Sequence, residues 1–215
     1  MYLEKKSTVV FIGDSITDFD RERPYGEGNG IGRSYVGLVD GIIRANDPTM
    51  HLRVINTGIS GDNSRGMKDR WQQDVMALKP DYVSVLIGTN DVWRQFDSPE
   101  KVETHISPEE YRSNLKEILD NYASEFKGMI LMTPYVMEIW KEDPMRCRMA
   151  EYGAIVKELA AEYGAVAIDL QKAFDDYFEE YPTASVNWDQ IHPNIVGHCI
   201  IARAFLNGIG FEWTK

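Results

Sequence analysis

The chain has 215 residues, of which 43% are hydrophobic and 27% charged, and its formal net charge is −11. That length suits a single domain spanning residues 1–215, with a sizeable core, and no apolar run approaches the ~20 residues that a membrane-crossing helix needs. The acidic balance argues against nucleic acid and against anionic membrane surfaces, since both are held mainly by Lys and Arg.

Met1-Tyr2-Leu3-Glu4-Lys5-Lys6 has no apolar stretch of the secretory type, so a cytoplasmic protein is expected. Val9-Val10-Phe11-Ile12 reads as a buried strand that stops at Gly13. Asp14-Ser15 follows at once, which places Ser15 just past a strand's carboxyl end, where open α/β sheets hold their ligands. Residues 18–32 are polar and Gly-rich. They read as a flexible loop beside Ser15 and a candidate wall for a substrate.

Tyr35 to Ala45 has apolar residues at three- and four-residue spacing and reads as a helix. Leu52 to Asn56 is the second strand, ending at Gly58-Ile59-Ser60-Gly61-Asp62. Ser64 is the expected cap of a helix running to about Leu78, closed by Pro80. Tyr82 to Ile87 is the third strand, ending at Gly88-Thr89-Asn90-Asp91. Val92 to Ser107 reads as a loop, and Ser107 with Glu110 fits a capping box for the next helix.

Met129 to Met132 is the fourth strand, and residues 135–143 loop over the same end of the sheet. A helix from Pro144 to about Tyr163 stops at Gly164. Ala165 to Ile168 is the fifth strand. Asp189-Gln190-Ile191-His192-Pro193 precedes a nearly all-apolar closing helix, Ile195 to Leu206. Strands and helices alternate throughout, which argues for a parallel sheet covered on both faces.

Four of these stretches carry chemistry: GDS at Ser15, ISGD at Gly61, GTND at Asn90 and DQIHP at His192. In this order they resemble the SGNH hydrolases, also known as GDSL esterases and lipases. The resemblance implies an α/β fold: a three-layer α/β/α flavodoxin-like arrangement around a five-stranded parallel sheet, with strand order 2-1-3-4-5. A serine hydroxyl needs a base to become a nucleophile. His192 is the best placed of four histidines, and a three-residue offset can bring Asp189 to its imidazole. The resemblance agrees: nucleophile Ser15, general base and acid His192, and orienting carboxylate Asp189. It assigns the oxyanion hole to the N–H groups of Ser15 and Gly61 and the side-chain amide of Asn90.

Read alone, each residue has a plainer role: a capping Ser, a turn Gly, a turn Asn, or a loop His. Asp14 and Asp91 are expected to hold their loops, His198 to be a satisfied core histidine, and His51 and His105 to lie at the surface. No metal-ligand spacing appears and no cofactor is expected. Cys147 and Cys199 are expected to be buried thiols. The nucleophile elbow GxSxG of ordinary α/β-hydrolases is absent.

Closer resemblance runs from Val9 to Trp213. It rests on GTNDVWRQ, DPMR, ARAF and the stretch from Gly210 to Trp213, and it points to bacterial cytoplasmic acetylxylan esterases. It implies removal of acetyl groups from short xylo-oligosaccharides by a homo-oligomer. Tyr25, Trp93 and Trp140, taken as loop residues, are candidates to contact a sugar, or else pack the loops or a subunit contact. The alternatives are a general short-chain esterase, thioesterase or lysophospholipase on the same scaffold, and a carbohydrate-binding protein that has lost catalysis. Such a binding protein would be expected to lack part of the triad.

Overall fold

A computed structural model describes residues 1–213. Six strands form one sheet: β1 (Thr8–Gly13), β2 (Gly26–Glu27), β3 (Arg53–Asn56), β4 (Tyr82–Leu86), β5 (Gly128–Met132) and β6 (Val166–Ile168), in the order β2-β3-β1-β4-β5-β6. β3, β1, β4, β5 and β6 pair in parallel. They are the five strands of the sequence reading, in the implied order. The sixth corrects the count: β2 is a two-residue edge strand, antiparallel to β3. It is too short to show period-two alternation.

The two faces follow from that alternation. Val9 and Phe11 of β1, Leu86 of β4, and Ile130 and Met132 of β5 enter one core. They pack there against α2 (Tyr35–Asn46), α7 (Leu170–Phe178) and α8 (Ile195–Gly208). Val10 and Ile12, Val83 and Val85, and Met129 and Leu131 enter the other, under α3 (Ser64–Asp74), α5 (Pro108–Tyr122) and α6 (Pro144–Tyr163). The remaining α-helices among the described residues are α1 (Ser15–Asp18) and α4 (Thr89–Asp97).

Several expectations change. Residues 89–97 form a helix rather than a loop, so Trp93 stands on α4. This short helix lacks a side-chain cap, which is why it reads poorly in sequence. Asn63, not Ser64, caps α3, its side chain accepting from the Gly66 N–H at 3.0 Å. The 18–32 segment is firmly held. Arg21 is buried and donates to the carbonyls of Gly58 (2.7 Å) and Pro24 (2.6 Å), while the Asn56 amide donates to Thr17 and Ile31. Both cysteines are free but exposed, on the outer faces of α6 and α8.

Candidate active site

The site lies at the carboxyl ends of β1, β3 and β4, which the sheet places side by side. Gly13 ends β1, and its role is room. A Cβ there would stand 2.3 Å from the Leu86 carbonyl and 2.4 Å from Thr17 Oγ1. Asp14 then caps α1, accepting from the Ile16 N–H at 3.0 Å, and Ser15 is the first helical residue. Gly88, at φ 122°, turns β4 directly into α4 and brings Asn90 into that helix's first turn.

Asp189 and His192 come from the segment before α8. Asp189 Oδ1 accepts from the backbone N–H groups of Ile191 (3.0 Å) and His192 (2.8 Å). Gln190 takes a left-handed conformation, φ 68°, which closes this tight turn. The neighbouring 133–143 loop holds it. Met137 N–H donates to the Gln190 carbonyl at 2.8 Å, and Gln190 Nε2 donates to Glu138 Oε2 at 2.9 Å.

The three residues meet although 177 positions separate Ser15 from His192. His192 Nδ1 lies 2.6 Å from Asp189 Oδ2, and Nε2 lies 3.0 Å from Ser15 Oγ. The carboxylate selects the Nδ1–H tautomer, leaving Nε2 to accept the serine proton. Burial alone would raise the Asp189 carboxyl. The hydrogen bonds from the His192 side chain and from the His192 and Ile191 backbones outweigh it and hold Asp189 below the usual range, so it is ionised.

Beside Ser15, the amide N–H groups of Ser15 and Gly61 have no acceptor among the described residues. Asn90 Nδ2 donates to the Asp62 carbonyl at 2.8 Å and makes a longer contact, 3.5 Å, with Asp14 Oδ2. The weaker contact leaves one amide hydrogen available. Asp14 and Asp91 are fully buried beneath the site. Burial pushes Asp14 up to about 7, with Asp91 and Asp62 adding to the rise, and pushes Asp91 up to about 6. Asp91 accepts from the Ser64 N–H and hydroxyl, which docks α3 against α4.

An open cleft of about 490 Å³ leads to Ser15 and His192, bordered by Asp18, Arg21, Arg23, Ser60 and Trp188. Trp188 stacks on the His192 ring with centroids 6.1 Å apart and planes at 14°. Trp93 meets the same ring edge-on at 5.6 Å. None of the three aromatic candidates lines the cleft, and Trp93 reaches the site only through the His192 ring. Tyr25 precedes edge strand β2, and Trp140 sits far along the 133–143 loop, its backbone N–H donating to Glu138 Oε1 at 2.9 Å. The sequence reading missed Trp188, although it adjoins Asp189. Arg23, within the 18–32 segment expected as a substrate wall, does border the cleft and pairs with Asp18 at 2.6 Å.

His198 is buried as expected but only half satisfied. Nδ1 accepts from the Tyr35 N–H at 3.2 Å, and Nε2 has no partner among the described residues. Burial holds its pKa down to about 4, with His192 adding to the fall, so the ring is neutral. His51 is exposed and His105 half-buried.

The model of the GDSL-like lipase/acylhydrolase family matches residues 11–200, and that span holds all four stretches. The chain belongs to the GDSL-like lipase/acylhydrolase family. An acetylxylan esterase of Geobacillus stearothermophilus is 46% identical over 209 residues, covering 96% of this chain and 95% of that one. The crystal structure of Axe2, an acetylxylan esterase from the same organism, superposes with a TM-score of 0.98 at 45% identity, covering 100% of this chain and 99% of that one. Structures described as catalytic mutants of Axe2 replace a serine, a histidine and an aspartate by alanine. LAE5, described as an α/β hydrolase from the metagenome of Lake Arreo, Spain, also superposes at 0.98, at 46% identity with both chains fully covered. A GDSL-family member with this serine–histidine–aspartate contact has the parts for ester hydrolysis.

Proposed function

We propose that this family member is a serine esterase that removes O-acetyl groups from short acetylated xylo-oligosaccharides. The observation that carries the chemistry is the chain of contacts from Ser15 Oγ through His192 to Asp189, opening on the cleft. The substrate reading is supported by 46% identity, over nearly the full length of both chains, to an acetylxylan esterase.

Ser15 Oγ attacks the acetyl carbonyl carbon while His192 Nε2 takes its proton. The carbonyl oxygen gains the negative charge, which the N–H groups of Ser15 and Gly61 and the Asn90 amide stabilise. The intermediate collapses as His192 returns the proton to the departing sugar oxygen, leaving acetyl-Ser15. Water, deprotonated by His192, then attacks that ester, and His192 returns the proton to Ser15 Oγ as acetate leaves. Asp189 stays ionised and stabilises the imidazolium formed in each half.

The cleft suits a sugar. Asp18, Arg23 and Ser60 present polar atoms to hydroxyl groups, and the Trp188 ring offers an apolar face. A long acyl chain would lie against charge. We also place the protein inside the cell, where two exposed unpaired thiols suit a reducing compartment. There it works as a homo-oligomer, with the exposed Ile195 and Trp213 side chains as candidates for the subunit contact.

The test follows acetyl loss from acetylated xylo-oligosaccharides by NMR, beside p-nitrophenyl acetate and octanoate. Fast loss from the sugar with octanoate refused is expected, and Ser15→Ala should abolish both acetate reactions while leaving the far-UV circular dichroism unchanged. An untouched sugar beside rapid aryl acetate hydrolysis would sink the substrate reading. Near-native activity in Ser15→Ala would sink the mechanism.

A further inference from the structure

We infer that Arg70, on α3, is the positioning residue that assembles the oxyanion hole, an inference that rests on the esterase reading above. The three donors come from three separate segments: Ser15 after β1, Gly61 between β3 and α3, and Asn90 on α4. None of these segments is continuous with another, so something must fix their mutual distances. The Arg70 guanidinium touches the connections after β1 and β3 directly and reaches the third through Asp62.

Arg70 Nη2 donates at 3.0 Å to the carbonyl of Gly13, two residues before the nucleophile. Nη1 donates at 2.7 Å to the carbonyl of Thr57, where the β3 loop begins. Nε donates at 2.7 Å to Asp62 Oδ2, on the residue after Gly61. The Asp62 carbonyl in turn accepts from Asn90 Nδ2 at 2.8 Å, so the same anchor reaches the third donor. Asp74, one turn further along α3, accepts from Nη1 at 2.9 Å and aims the side chain.

The physical case is one of geometry. Arg70 is largely buried, its side chain 13% exposed, so its charge is compensated there by two carboxylates and two backbone carbonyls. A planar fork with donors at fixed angles can hold two carbonyls and two carboxylates in one rigid frame. A lysine, with one nitrogen at the end of a flexible stem, cannot. Donors aimed at an oxyanion lose most of their value when displaced by a fraction of an ångström. Arg70 does not reach the cleft, and its influence on the reaction runs through the Gly13 and Asp62 contacts.

The test compares wild type, Arg70→Lys, Asn90→Ala and the double variant on p-nitrophenyl acetate, with Ser15→Ala as the control for serine-dependent turnover. Arg70→Lys should lower kcat by roughly 10-fold or more while KM stays within about threefold, because the interaction matters in the transition state. Its effect in the Asn90→Ala background should be smaller than in wild type, since both changes damage the same donor. Asp62→Ala, which keeps the backbone carbonyl but releases Arg70 Nε, should show the same kcat-weighted loss, and it carries the test if Arg70→Lys does not fold. Unchanged kcat in Arg70→Lys or Asp62→Ala, a loss confined to KM, or losses that multiply fully with Asn90→Ala would each overturn the inference. Absence of Ser15-dependent hydrolysis in the wild type would overturn the esterase reading and this inference together.

Discussion

At the scale of single residues, the site is organised by hydrogen bonds that leave the reacting groups few alternatives. Asp189 spends one oxygen on two backbone N–H groups of its own turn and the other on the imidazole, so carboxylate and ring are fixed by the same turn, residues 189–192. Asn90 is held more economically, with one amide hydrogen committed to Asp62 and the other loosely directed at Asp14. Asn90→Ala should therefore lower kcat by roughly 10²–10³, the usual loss for one oxyanion donor. Steady-state kinetics on an aryl acetate check this, and an unchanged kcat would remove Asn90 from the hole.

At the scale of elements, the strand-to-helix junctions matter more than the helices. Gly88 sits at φ 122°, and a Cβ there would stand 2.8 Å from Tyr111 Oη, whose hydroxyl donates to the Ile87 carbonyl at 2.9 Å. Gly88→Ala thus combines backbone strain with a clash against a fully buried ring. It should cost about 1–3 kcal/mol for the backbone conformation alone. It should also lower kcat, since α4 carries Asn90. Urea unfolding beside steady-state kinetics would show both effects, and a variant as stable and active as wild type would contradict them. The junction also explains why a short uncapped helix follows β4 so closely: the chain is turned by the glycine and then held by Asp91 against Ser64.

At the scale of the whole molecule, the buried acids set how stability depends on pH. Asp14 has a folded-state pKa of about 7 against an ordinary value of 3.8. The fold therefore favours its protonated form. Stability that is complete below about pH 4 is lost as pH rises towards 7, by an amount of order 4 kcal/mol for this group. Asp91, raised to about 6, acts in the same direction over a narrower range, and burial raises Asp62 likewise. Asp189 acts oppositely, below its usual range. Asp14→Asn keeps the acceptor for the Ile16 N–H and removes the titration. Between pH 4.5 and 7.5 it should lose less unfolding free energy than wild type in urea melts. Parallel pH profiles for the two proteins would show that Asp14 is not the titrating group.

The alternation of elements and the four reactive stretches were legible in the chain. All of these are local: short apolar runs, period-3.6 patterns, glycines at strand ends, and a His three residues from an Asp. The three-residue turn of Asp189 and His192 was legible for the same reason. The groups that surround the chemistry come together only in the folded chain. Trp188 stacks on His192, Tyr25 and Trp140 fall outside the cleft, Arg21 locks a segment that reads as loose, and Arg70 joins the loops after β1 and β3, 57 and 13 positions away. Such contacts depend on how parallel strands are ordered and where their crossovers land. Neither leaves a periodic trace in the chain, because each partner's own neighbours look like ordinary loop or helix surface.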